Sequence, residues 1–116
     1  MYDNVLRSNA TDLTATESNP TGINVGVDLV PRTIMVNVPQ ATGTTPTLDV
    51  KIQESDDNSN WRDVANVEHI TAAGQYYVTT KCNAPYRRAI PTVGGTTPNF
   101  GKVLIAYVAA GRHNKW

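Results

Sequence analysis

The strongest constraint on this chain is a period of two. Between Thr47 and Glu54, Leu48, Val50 and Ile52 alternate with Asp49, Lys51 and Gln53. Successive side chains of an extended strand point to opposite faces, so this segment buries one face and wets the other. The alternation recurs in Ile23–Val30, where Ile23, Val25, Val27 and Leu29 share a side, and in Thr33–Val38, with Ile34, Val36 and Val38. Turn-forming clusters separate such runs: Asn19–Gly22, Pro39–Pro46, Ser55–Asn60, Thr71–Gly74, Asn83–Pro85 and Gly94–Asn99. Further strands are expected over Trp61–Val64, Val67–Ile70, Gln75–Cys82, Tyr86–Val93 and Phe100–Ala109. Pro31 is expected to end the first strand, and Pro91 reads as an edge position or a bulge. The run Val103–Val108 is apolar at every position, which predicts burial on both faces. No window shows good helical periodicity. Fifteen Thr, thirteen Val and eleven Asn tilt the balance further toward strands and turns. Seven or eight short strands with this spacing predict an all-β chain, an antiparallel β-sandwich or small barrel.

At 116 residues there is room for one domain. Residues 1–22 are polar and irregular, with Tyr2, Val5, Leu6 and Leu13 as scattered apolar points. They read as an extended N-terminal arm outside the core, tied to a neighbouring subunit. Residues 23–110 form the sandwich, and 111–116 a C-terminal tail. Ten Lys and Arg balance ten Asp and Glu, so no basic field exists to concentrate nucleic acid. Near-zero net charge favours association, which suits a part of an assembly. Cys82 is the single cysteine, which excludes an internal disulfide and Cys-rich zinc sites. No stretch reaches the length of a transmembrane helix, and no membrane partner is expected. The start, MYDNVLRSNATDL, has neither the basic opening nor the apolar run of a signal peptide, so synthesis in the cytoplasm is expected.

Several segments resemble chemical motifs without completing them. Gly95 to Lys102 has five residues between its glycines where a P-loop needs four, and Val103 stands where the hydroxyl belongs. Asp56 to Asn60 alternates oxygen side chains as calcium loops do, but Trp61 and Val67 occupy the places of the loop glycine and glutamate. Those oxygens are explained by a tight turn. Cys82, His69 and His113 carry no local nucleophile signature, and Cys82 reads as a small buried hydrophobe. Arg87 and Arg88 fall on opposite faces of a strand, which leaves two arrangements: one of them pairs inside or at an interface, or both are solvated at an edge. Trp61, Tyr76, Tyr77, Tyr86 and Tyr107 read mainly as core, with Trp61 capping one end. No catalytic residue, cofactor or metal site is expected.

The stretches "LDVKIQESDDNSNWRDV", "ITAAGQYYV" and "APYRRAIPTVGGTTPNFGKVLIAYVAAGR" cover Leu48 to Arg112. With an "ESDD-S-W" hairpin, a "YRR" strand, a "GGTTP" loop and a final apolar strand ending in "AGR", this region resembles the jelly-roll capsid decoration, or cement, proteins of tailed bacteriophages. The resemblance implies a jelly-roll sandwich without catalysis, found on the capsid surface of the virion. It implies a homo-oligomer, dimer or trimer, that bridges major capsid protein subunits. On this expectation Tyr2, Val5, Leu6, Arg7 and Leu13 of the arm, and Arg112, His113 and Trp116 of the tail, make the contacts. A phage tail or fibre component is the alternative. A carbohydrate-binding module is a further one; it requires two or more aromatic rings exposed and coplanar on one face or loop cluster, and burial of Trp61, Tyr76 and Tyr77 in the core would exclude it.

Overall fold

The computed structural model of the chain describes residues 2–18 and 20–108. Among them the regular structure is entirely β. The strands are β1 (Tyr2–Arg7), β2 (Ile23–Asn24), β3 (Asp28–Val38), β4 (Thr42–Ser55), β5 (Arg62–Ile70), β6 (Gly74–Cys82), β7 (Tyr86–Asn99) and β8 (Leu104–Val108). The chain doubles back at the turn between β4 and β5. From there β4 pairs with β5, β3 with β6, β2 with β7 and β1 with β8, all antiparallel. Each strand thus meets the one equally far from the turn on the other side. The double ribbon then rolls up, setting β8 beside β3 and β7 beside β4. Two four-stranded sheets result: β1-β8-β3-β6, called sheet A, and β2-β7-β4-β5, called sheet B. This strand order is a jelly roll, the double-sheet solution among the all-β folds expected.

The turn that starts the fold is built by its own side chains. The Asp57 carboxylate accepts the backbone N–H groups of Ser59 at 3.0 Å and Asn60 at 2.9 Å. It also accepts the Asn60 side-chain amide and the Ser55 hydroxyl. The acidic and amide oxygens of this segment therefore serve the turn, and Asn58 takes the left-handed φ of 62° that Asn tolerates.

The core lies between the sheets. Ile34, Val36 and Val38 of β3 and Ile105 and Tyr107 of β8 face Leu48, Val50 and Ile52 of β4 and Ala89 of β7. The period-two reading therefore holds where it was clearest. Four boundaries differ. Strand β3 runs through Pro31, because a register shift between Asp28 and Arg32 takes up the missing N–H. The expected strand Ile23–Val30 is divided: β2 keeps two residues, and Val25 and Gly26 bond to the Pro85 carbonyl. The two expected β5 pieces are one strand. The expected loops Pro39–Pro46 and Gly94–Asn99 are largely the two strands of one ribbon, β4 with β7. Pro91 does sit where β7 has lost its β2 neighbour, and its carbonyl accepts Glu17 N–H at 3.1 Å.

The N-terminal segment is extended, but it lies on the sandwich instead of projecting from it. Strand β1 adds to sheet A beside β8. Leu6 and Leu13 are buried in the core cluster, Leu13 with no exposed surface. The reading of residues 1–22 as free of the core is corrected accordingly. Scattered leucines without periodicity still become core when a bulged edge strand and an irregular return each supply one.

Candidate interaction surface

Strand parity separates the two outer faces. On sheet B the outward residues of β4 are Asp49, Lys51 and Gln53, with Asp63, Asn66 and Glu68 on β5 and Arg88 on β7. They bind one another. Gln53 donates to Asp63 at 2.8 Å and accepts from Arg88 Nε at 2.8 Å, while Lys51 lies 3.6 Å from Asp63. His69, 76% exposed, pairs with Asp49 by its ring at 3.2 Å and by its backbone N–H at 2.7 Å. This is a solvated, charge-laced face.

Sheet A is different. Val5, Ala106, Met35 and Tyr77 are aligned across β1, β8, β3 and β6 by direct pairing. They face away from the core cluster, whose members are the alternate residues Ile34, Val36, Ile105 and Tyr107. Leu104 and Val108 flank the row on β8, and Thr33, Asn37, Gln75 and Thr79 complete it with uncharged polar groups. Among the described side chains Lys81, at the strand end, is the charged member of this face. At the ends of this row Val5 is 38% and Tyr77 55% exposed, whereas Met35, at 3%, and Ala106, with no exposed surface, are buried within the chain. An antiparallel sheet with a wet outer face normally alternates apolar and polar residues cleanly. Here β8 carries apolar side chains on both faces, as its sequence predicted.

A second uncharged surface projects from sheet B. Thr42–Thr47 of β4 pairs with Gly94–Asn99 of β7, beyond the reach of β5. Each strand contains the tetrapeptide Gly-Thr-Thr-Pro, at 43–46 and at 95–98. The copies adopt the same backbone: φ is 108° at Gly43 and Gly95, 45° at Thr45 and 44° at Thr97. The two glycines are required. A Cβ on Gly43 would stand 2.6 Å from the Thr97 carbonyl oxygen, and one on Gly95 2.7 Å from that of Thr45. This duplicated tetrapeptide, 52 positions apart, was the sequence signal for the ribbon, and a scan for longer repeats passes over it.

At the opposite end of β4 and β7, Glu54 points inward between two arginines. Arg62 donates to it at 2.8 Å and Arg87 Nη2 at 3.4 Å. Arg87 is fully buried and also donates to the Lys81 carbonyl. Its Nε and Nη1 have no acceptor among the described residues. Arg88, on the outer side, lies 4.3 Å over the Trp61 ring. One of the two arginines is thus inside and paired, the first of the two arrangements their positions left open. Trp61 and Arg88 line a groove of about 410 Å³ with Pro20, Thr21, Gly22, Asn58 and Ser59.

The expected contact residues are distributed as follows. Val5 is on the outer face of sheet A. Leu6 and Leu13 are core. Arg7 is buried, bridging Glu17 through two bonds of 3.0 Å and the Val103 carbonyl at 2.7 Å, so it fastens the N-terminal segment to its own chain. These three are therefore withdrawn from any outer contact surface. The backbone of Tyr2 opens β1, but its side chain is outside the described ones, as is that of Cys82. Arg112, His113 and Trp116 lie outside the described residues. Trp61, Tyr76 and Tyr77 do not share a platform: Trp61 lies by the outer face of sheet B, Tyr76 packs against the core and Tyr77 stands on the outer face of sheet A. Among the described residues no three His, Cys, Asp or Glu side chains group to hold a metal. No protein-family model matches the chain, and no characterised protein matches its sequence.

Proposed function

We propose that this chain is a virion structural protein, a capsid decoration protein that binds the outside of an icosahedral phage shell and bridges major capsid subunits. The observation that carries the reading is the difference between the outer faces. One is laced with charge; the other is nearly free of it and presents Val5, Leu104, Val108 and Tyr77. Apolar patches on a sandwich this small mark contact surfaces. The resemblance of Leu48–Arg112 to jelly-roll cement proteins names the kind of contact. Neutral net charge suits a molecule that ends in an assembly. A cement protein works by burying modest surfaces on two or more subunits at once, since linked contacts multiply through effective concentration.

The test is the number of copies of this chain per purified particle, measured by quantitative mass spectrometry. A large number compatible with icosahedral symmetry is expected. A dozen copies or fewer would transfer the chain to the tail, and absence from particles would overturn the reading.

A further inference from the structure

A sheet edge is an open row of backbone donors and acceptors, and natural sandwiches blunt such edges. The described strands leave four. Strand β2 is two residues long. Strand β1 is broken by two register shifts. Strand β5 carries Arg62, Asp63, Glu68 and His69, is bulged twice against β4 and turns at His69 with φ of 50°. Each of these three has a recognised protection. Strand β6 has none over Gln75–Thr80. It pairs with β3 through seven consecutive residues, Gly74 to Thr80, without a shift. The segment Gln-Tyr-Tyr-Val-Thr-Thr has no charge, proline or glycine and is rich in strand formers. Among the described residues β3 is its sole strand partner.

We infer that the β6 edge is a homodimer interface, in which two copies of this chain pair β6 to β6 antiparallel and join their A sheets into one eight-stranded sheet. The occupant follows from charge and symmetry. Antiparallel pairing about a two-fold axis keeps faces matched when the axis centres on a residue, and Tyr77 and Val78 are the two central residues of Gln75–Thr80. In the first, Tyr77 meets Tyr77 and Gln75 meets Thr79. In the second, Val78 meets Val78, Tyr77 meets Thr79 and Gln75 meets Lys81. Neither brings like charges together, which is the usual bar to self-pairing. Tyr77, 55% exposed on the single chain, supplies an aromatic anchor across the axis in both. The joined sheet also doubles the uncharged outer face. The inference does not depend on the capsid reading and is tested without shells.

The experiment is sedimentation velocity on the full chain at tens of micromolar, with hydrogen exchange on the same samples. Wild type is expected at twice the 12.6 kDa chain mass. The double variant Tyr77→Lys/Thr79→Lys opposes ammonium groups in either register, on side chains that face solvent, and is expected to sediment as a monomer with an unchanged far-ultraviolet circular dichroism spectrum. Amides of Gln75–Thr80 are expected to exchange at least tenfold faster in it. The control Asn66→Lys/Glu68→Lys, on the β5 edge, is expected to remain dimeric. A monomeric or trimeric wild type, or a dimer that survives the β6 substitutions, would overturn the inference. So would loss of the dimer in the β5 control alone.

Discussion

Leu13 shows how one residue's place decides between two roles. Buried with no exposed surface and bonded through its backbone to Phe100 and Gly101, it belongs to the fold. Leu13→Ala is expected to lower stability by about 2–5 kcal/mol in urea unfolding, the usual cost of such a truncation. An unchanged midpoint would return Leu13 to an outer contact. Glu54 carries a different load, because Arg87 beside it is fully buried. Removing one partner of a buried pair strands the other charge, so Glu54→Ala should cost about 3–5 kcal/mol by the same measurement. Asp57 responds to pH. The Asn60 backbone N–H, then the Asn60 and Ser55 side chains and the Ser59 N–H, hold its carboxyl far below the ordinary 3.8. Its contribution is therefore complete above the unfolded value of 3.8 and is lost as pH falls below it. Asp57→Ala should flatten the decline of melting temperature on acidification below about pH 4. An identical decline in both proteins would contradict this role.

Among the elements, legibility followed the strength of the alternation. Core strand β4, with Leu48, Val50 and Ile52, was plain because each apolar residue faces the opposite sheet. The Gly-Thr-Thr-Pro ribbon was hidden because glycine, proline and polar threonine write the vocabulary of loops. Its pairing comes from the partner strand, which local sequence does not display. Pro31 misled in the same way, since a bulge in β3 makes room for it. Parity set Arg87 and Arg88 on opposite faces but left open whether either is buried, and Glu54 as the inner partner was not legible. It lies 33 positions away and is found by the register of β4 on β7. Gly43→Ala or Gly95→Ala should disorder the ribbon and speed exchange of the Thr44 and Thr96 amides. Each adds a methyl carbon against a carbonyl oxygen and forces a left-handed φ on a non-glycine residue. Unchanged exchange would show that the ribbon does not need its glycines.

At the scale of the whole molecule, the jelly roll arises from one fold in half and one roll, and it leaves two outer faces of contrasting character. The sandwich was legible from strand spacing; the contrast between faces was not. It depends on which strands become neighbours in sheet A, where Val5, Ala106, Met35 and Tyr77 come from four distant parts of the chain. The proposed capsid role requires this face to meet the shell. Its most direct test is a binding titration of undecorated shells with purified wild-type chain and with Val5→Lys/Leu104→Lys, followed by sedimentation and copy counting. Saturable binding by wild type and at least tenfold weaker binding by the variant are predicted. No wild-type binding, or equal binding by the variant, would contradict the account.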